Sequence, residues 1–339
     1  MNKTLKAMLT NIKQTEDKPL HLHSKVLLVD SMNTFLRSFA MINHINPNGH
    51  HIGGLTGFLK SIGFAIRHIK PTRVILVFDG NGSTTNKKLL YPDYKGNRKL
   101  QRITNWDGFE DREDESASIA NQMLRLVDYL KCLPVDLVSI DKVEADDVIG
   151  HLVTKLQDEV YIMSADNDFI QLVNDKVTVY SPVKKIFYTP TVVKKDFDLE
   201  PFNYINYKIL MGDNSDNLPG VNKLGPKKLM KLFPEIGGTE KVVFEDILQK
   251  SKDKINEHAL YHSVANFEKQ LLINQQLMDL SDPVIPEADI EEIDQMLQSE
   301  HRLLNKNEFM KMYNEDSLNN SIPNTMFWLD DVFNYLQAY

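Results

Sequence analysis

The chain has 339 residues, 42% of them hydrophobic and 25% charged, with a formal net charge of -8. This is ordinary globular composition, enough for one large domain or two. No stretch approaches the ~18 apolar residues of a membrane span, the N-terminus has no apolar signal core, and the lone Cys132 excludes an internal disulfide or a cysteine-based zinc cluster, so the expected location is the cytoplasm.

In chain order, residues 1–23 read as an extension in which Leu5, Met8, Leu9 and Ile12 fall at i, i+3, i+4 and i+7, a short amphipathic helix pattern. Continuous apolar runs follow, each ending in aspartate: KVLLVD at 25–30, RVILVFD at 73–79 and VYIMSADND at 160–168. A fourth strand is expected over 177–182, and helices over 54–69, 115–131 and 144–157. Strands buried on both faces and separated by helices predict an α/β fold with a mostly parallel central sheet. Between them, 81–115 opens with NGSTTN and closes with DGFEDREDE, as expected of a mobile functional loop or lid. Beyond 200 the pattern is helical, and a polar stretch at 314–325 precedes a final aromatic helix. In that helix Phe327, Trp328, Leu329, Val332, Phe333 and Leu336 are expected to pack into a core.

The net charge conceals local structure. Lys87, Lys88, Lys95, Arg98, Lys99 and Arg102 gather over 87–102 against Asp93 alone, and Lys223, Lys227, Lys228 and Lys231 gather over 221–231 with no acid. The acids collect elsewhere. Asp30, Asp79, Asp166 and Asp168 fall at the carboxyl ends of strands, where open parallel sheets place their functional groups. Glu144, Asp146 and Asp147 begin a helix, and Asp213 and Asp216 lie in GDNSDNLPG. Singly, each is equally well a cap or turn acid; Asp147 suits a first helical turn. Together they repel unless a cation neutralises them. Carboxylates without His or Cys suit Mg²⁺ or Mn²⁺ rather than zinc. So many acids imply two ions, which at about 3.5–4 Å apart can hold both oxygens of a phosphodiester displacement in line. Without these nine acids the formal charge of -8 becomes +1, and a nucleic-acid partner is compatible with the composition.

VD at 29–30, VFDG at 77–80, YKGNR at 94–98, VEADD at 143–147, SADND at 164–168 and GDNSDNLPGV at 212–221 occur in a distinctive order. Over about residues 25–280 the chain resembles the structure-specific 5′ nucleases: flap endonucleases, the 5′-nuclease domain of bacterial DNA polymerase I, and above all bacteriophage 5′→3′ exonuclease/RNase H enzymes. The resemblance implies a PIN-like nuclease core over 24–200 with a helical arch at about 81–120. It implies a helical DNA-binding region over 201–300 with a helix-three-turn-helix motif at about 205–233, and a C-terminal helical segment over 301–339. It places Asp30, Asp79, Glu144, Asp146 and Asp147 at a first metal site and Asp166, Asp168, Asp213 and Asp216 at a second. Lys95 and Arg98 match basic residues at the base of the arch that act on the scissile phosphate. Tyr94 either stacks on an unpaired base or packs beside Pro92, and Arg37 is placed to reach a phosphate or solvent. Gly220, Lys223, Gly225, Lys227 and Lys228 match the duplex-binding turn, which can carry a backbone-coordinated K⁺; Lys223 and Leu224 stand where the family often has Gly and Ile.

The implied activity is Mg²⁺-dependent hydrolysis near 5′ ends of DNA or RNA–DNA duplexes and at 5′ flaps, in primer and flap removal during replication. The alternatives are a PIN-type ribonuclease of single-stranded RNA and a non-catalytic junction-binding protein. A monomer is expected, in the host cytoplasm if viral, with one chain end docking a sliding clamp or single-strand-binding protein.

Overall fold

The computed structural model describes residues 25–98, 108–298, 302–318 and 321–338. The apolar runs become β1 (Lys25–Asp30), β2 (Arg73–Asp79), β4 (Glu159–Met163) and β5 (Val177–Ser181). With β3 (Asp136–Ile140) and β6 (Ile186–Tyr188) they form one sheet in the order β3-β2-β1-β4-β5-β6. Every pairing is parallel except that of β5 with β6. The register sets Asp30 beside Val77 and Val29 beside Met163, so three strand ends reach one edge together.

Because alternate strand residues face opposite sides, β1 feeds two cores. Leu27 and Val29 pack with α1 (Ser31–Met41), α2 (Gly53–Ile69) and α4 (Arg112–Lys131). Val26 and Leu28 pack with α5 (Ala145–Lys155) on the other side. That second cluster continues without a break through α6 (Pro190–Phe197), α7 (Pro201–Met211), α8 (Pro226–Leu232), α9 (Phe244–Asp253), α10 (Ala259–Asn266), α11 (Glu268–Met278) and α12 (Glu287–Leu297). Proline in the first turn of α6, α7 and α8 places its missing N–H where a helix has no partner for one.

Trp328, Leu329, Val332, Phe333 and Leu336 of the C-terminal aromatic segment are core, as expected; Phe327 is a correction, since it points outward and is 67% exposed. After α13 (Lys306–Glu315), α14 (Thr325–Phe333) lies against α2, and a Cβ at Gly63 would come 2.8 Å from the Trp328 ring. Asp316 accepts from Arg125 Nε and the Tyr129 hydroxyl, both at 2.7 Å, and Arg67 pairs with Asp331 at 2.6 Å. The amphipathic pattern at Leu5–Ile12 lies outside the described residues.

The strand expected over 160–168 ends at Met163, and Asp166 and Asp168 belong to the following loop and a 3₁₀ turn, Asn167–Leu172. The insertion after β2 is not all loop: it contains a short helix, α3 (Thr85–Leu90).

Candidate metal centre

The site is built at the carboxyl edge of the sheet, each acid fixed by local backbone chemistry. Asp30 ends β1 and caps α1: the Asn33 amide donates to it at 3.2 Å and the Ser164 hydroxyl at 2.8 Å. Ser164 also accepts from the Asp166 amide at 3.0 Å, so one hydroxyl ties two acidic segments together. Asp79 ends β2 and accepts the Ala145 amide at 2.9 Å, which holds the start of α5 against it. Next to it, a Cβ on Gly80 would meet the Ile140 carbonyl at 1.7 Å; only glycine lets these segments approach.

Glu144, Asp146 and Asp147 offer carboxylate oxygens that all lie within 4.8 Å of one another. Asp166 accepts the Asp168 amide at 2.9 Å, which turns both acids into the 3₁₀ turn. Asp213 follows Gly212, whose φ of +70° favours glycine, in a two-stranded ladder of β7 (Gly212–Asp213) and β8 (Leu218–Pro219). Asp213 accepts from the amide and hydroxyl of Ser215 at 2.7 and 2.6 Å.

Among the described residues, four cations reach into this set. Lys87, in α3, lies 2.9 Å from Asp147, 3.0 Å from Glu144 and 3.7 Å from Asp146. Lys95 pairs closely with Glu144 and lies 3.9 Å from Asp216. Arg98 donates to Asp216 at 2.8 Å, and Lys208, in α7, lies 2.7 Å from Asp168 and also holds Asp213. Among the described residues, nine carboxylates against four cations leave a formal excess of five negative charges.

The protonation behaviour follows. Burial pushes Asp30 up to about 7, against hydrogen bonds from Ser164 and Asn33. Burial and then the charge of Asp166 push Asp168 to about 7. Asp79 and Asp166 are raised by burial as well. Burial acts on Glu144 in the same sense, but Lys87 and Lys95 outweigh it and hold that carboxyl at about 2. At Asp213 burial is overcome by Lys208 and Ser215, again to about 2. The same acids hold Lys87 protonated: burial would lower it, and the charges of Asp146, Asp147 and Glu144 win. Carboxylates that draw lysines in and still retain protons near neutrality are a donor set that fits hard divalent cations.

All nine acids named from the sequence, with Lys95 and Arg98, therefore meet in one place. YKGNR lies directly on the second acidic loop. The Lys95 amide donates to the Asp216 carbonyl at 2.9 Å, and Asn97 donates to the Asn214 carbonyl at 2.6 Å. Lys95 itself has φ +54°, a strained setting for a side chain of any size. Tyr94 is a correction. Its ring is 1% exposed among Leu218, Leu277 and Met278, with no open face for a base. Its hydroxyl instead donates to Glu144 at 2.8 Å and Asp216 at 3.1 Å, joining the two halves of the site.

Arg37 is exposed on α1 and donates to Asn33 at 3.1 Å. At Gly220 a Cβ would meet the Met211 carbonyl at 2.0 Å, so the chain's own packing requires glycine there. Gly225 has nothing within 4 Å of its Cβ position, and Lys223, Lys227 and Lys228 are exposed around it. Lys223 has φ +63°, the left-handed conformation in which glycine is at ease. Lys99 and Arg102 lie outside the described residues.

Sequence reasoning missed Lys87 and Lys208. Lys87 was one of a basic run, and only its place in α3, turned inward beside an exposed Lys88, separates the two. Lys208 carries a fainter mark, a lone charge in the otherwise apolar end of a helix just before GD.

The family model described as 5′-3′ exonuclease, N-terminal resolvase-like domain, matches residues 25–198, and the 5′-3′ exonuclease, C-terminal SAM fold, matches 199–301. The chain belongs to the 5′-3′ exonuclease family. Among its relatives, DNA polymerase I of Bacillus subtilis is 30% identical over 261 residues, covering 75% of this chain and 27% of the relative. The chain thus spans about a quarter of the length of the polymerases it matches. The 5′-3′ exonuclease of Buchnera aphidicola is 27% identical over 225 residues, 65% of this chain and 73% of that one. A bacteriophage T5 flap endonuclease solved with DNA and metal ions shares the fold, with TM-score 0.66 and 20% identity over 81% of this chain and 98% of that chain. The boundary between the two exonuclease matches falls between α6 and α7, inside the continuous apolar cluster.

Proposed function

We propose that this chain is a divalent-metal-dependent, structure-specific 5′ nuclease that hydrolyses phosphodiesters near 5′ ends of DNA or RNA–DNA duplexes and at 5′ flaps. The observation that carries the reading is the convergence of nine carboxylates from five chain segments, with excess negative charge, beneath the YKGNR turn. Asp30, Asp79, Glu144, Asp146 and Asp147 would hold one ion, and Asp166, Asp168, Asp213 and Asp216 the other. When bound, Mg²⁺ ions would neutralise these acids and polarise the phosphodiester.

The chain's own residues supply the rest. Lys95 and Arg98 donate to the phosphate as its charge develops, a point charge and a planar fork. Lys95 now lies against Glu144 and Arg98 against Asp216, so substrate phosphate would take the place of carboxylate partners. Tyr94 keeps Glu144 and Asp216 in register through its hydroxyl. The open backbone at Gly225, with Lys223, Lys227 and Lys228, contacts duplex phosphates without reading sequence. A K⁺ ion at this turn belongs to the same proposal; tighter duplex binding in K⁺ than in Na⁺ at equal ionic strength checks it.

We also propose action as a monomer in removing RNA primers and flaps during replication. The N-terminal extension would dock a sliding clamp or single-strand-binding protein, and deletion of residues 1–20 should then abolish stimulation by that partner. Cleavage of 5′-flap, nicked and RNA-primed duplexes beside plain single-stranded RNA, with Mg²⁺ or EDTA, tests the whole reading. Preference for duplexes with 5′ ends is expected. Equal cutting of single-stranded RNA would favour a PIN-type ribonuclease, and tight binding without cleavage a junction-binding protein.

A further inference from the structure

The proposed chemistry leaves one buried group unused. Lys87 is 2% exposed, and its ammonium is enclosed by Asp147, Glu144 and Asp146 at 2.9, 3.0 and 3.7 Å and by the Tyr94 ring, with the ring centroid 5.7 Å away. A side chain so enclosed does not reach a phosphate, although it belongs to the basic run that carries Lys95 and Arg98. Asp147 is equally enclosed, also at 2% exposure, whereas the Asp146 side chain is 31% exposed. Glu144 is enclosed too, at 3%, but it turns its other oxygen to Lys95 in the YKGNR turn, whereas among the described residues Asp147 pairs with Lys87 alone.

We propose that Lys87 is a positioning residue, a built-in cation that takes Asp147 as its counter-ion and holds Glu144 and Asp146 as metal ligands, so that Asp147 is not itself a ligand. The inference rests on the metal-centre reading and refines its ligand set. An ammonium has three donors and no acceptor, and the Lys87 ammonium has three carboxylates within 4.0 Å. A buried ion pair is tolerated when whole and strongly disruptive when halved, because the remaining partner is left uncompensated. Removing Asp147 alone leaves an unmatched positive charge beside Glu144 and Asp146, which opposes a second cation. Removing both members restores the net charge that a divalent ion meets in the native protein. If Asp147 were a ligand, removing Lys87 as well would restore the charge but not the missing donor oxygen, and binding would stay well below native.

Calorimetric titration of Mn²⁺ into the 339-residue chain, without DNA, separates these cases. Asp147→Asn is expected to weaken Mn²⁺ binding by at least ~10-fold. The double variant Lys87→Met/Asp147→Leu is expected to recover binding to within ~3-fold of the native protein, a non-additivity diagnostic of a direct pair. Lys87→Gln/Asp147→Asn, a neutral hydrogen-bonding pair, repeats the test should the apolar pair not fold, with near-ultraviolet circular dichroism in EDTA reporting folding. Folded double variants that bind Mn²⁺ as weakly as Asp147→Asn would overturn the proposal. Collapse of both double variants where the native chain stays folded would overturn it equally. A native protein that binds no Mn²⁺ would instead bring down the metal-centre reading itself.

Discussion

Replacing Asp30 with asparagine is expected to stabilise the metal-free protein at pH 8 while removing its nuclease activity. Burial raises this carboxyl from 3.8 to about 7. The folded state therefore holds the proton more tightly than the unfolded chain does. The group's contribution is fully present below pH ~4 and is lost as the pH rises through about 7. At about 1.4 kcal/mol per pH unit, ionised Asp30 costs the metal-free fold roughly 4 kcal/mol at pH 8. Asparagine carries no charge and keeps one acceptor oxygen for the Asn33 amide or the Ser164 hydroxyl, losing about 1 kcal/mol with the other. A net gain of roughly 2–3 kcal/mol is expected at pH 8, with a much smaller gain at pH 5. Urea unfolding of both proteins in EDTA at the two pH values measures it. Saturating Mg²⁺ should reverse the order, because the native carboxylate then has a cation. A variant less stable than the native chain at pH 8 in EDTA would refute the electrostatic argument.

Lys95→Ala and Arg98→Ala are each expected to lower the single-turnover cleavage rate by about 10²-fold or more with little change in duplex affinity, measured by rapid quench and fluorescence anisotropy. Lys227→Ala/Lys228→Ala should instead weaken binding of all duplexes alike and reduce the slope of log affinity against log salt by up to about 2. Trp328→Ala should destabilise the fold by about 3–5 kcal/mol in urea unfolding, since the ring fills the space above Gly63. Lys223→Gly should relieve the left-handed strain at φ +63° and raise stability by about 1 kcal/mol while weakening duplex binding.

The parallel sheet was legible because β1, β2, β4 and β5 are apolar runs with distinct ends, and Val26–Val29 of β1 are buried between two helix layers. β3, DLVSI, was not, because Asp136 and Ser139 break its run; Asp136 is instead paired with Arg73 at 2.7 Å across the sheet. β6 is three residues long, too short to carry a pattern. The acids were legible because aspartates at strand ends and the VEADD helix start are brought to one sheet edge by the topology, where they repel unless cations join them. Their counter-ions were not. Lys87 and Lys88 are indistinguishable as letters, and only the turn of α3 buries one and exposes the other. The base-stacking role of Tyr94 failed for a related reason: a motif gives residue type, whereas the facing surface comes from segments distant in sequence, here Leu277 and Met278.

The central claim is that these acids hold the ions on which phosphodiester hydrolysis depends. The most direct test is single-turnover cleavage of a 5′-flap duplex by the native protein and by Asp146→Asn and Asp168→Asn, with Mg²⁺ and with EDTA, alongside duplex affinity. The account predicts a 5′-phosphate on the downstream product, cleavage lost by at least about 10²-fold in EDTA and in both variants, and binding retained. Cleavage that persists in EDTA or in either variant would contradict it.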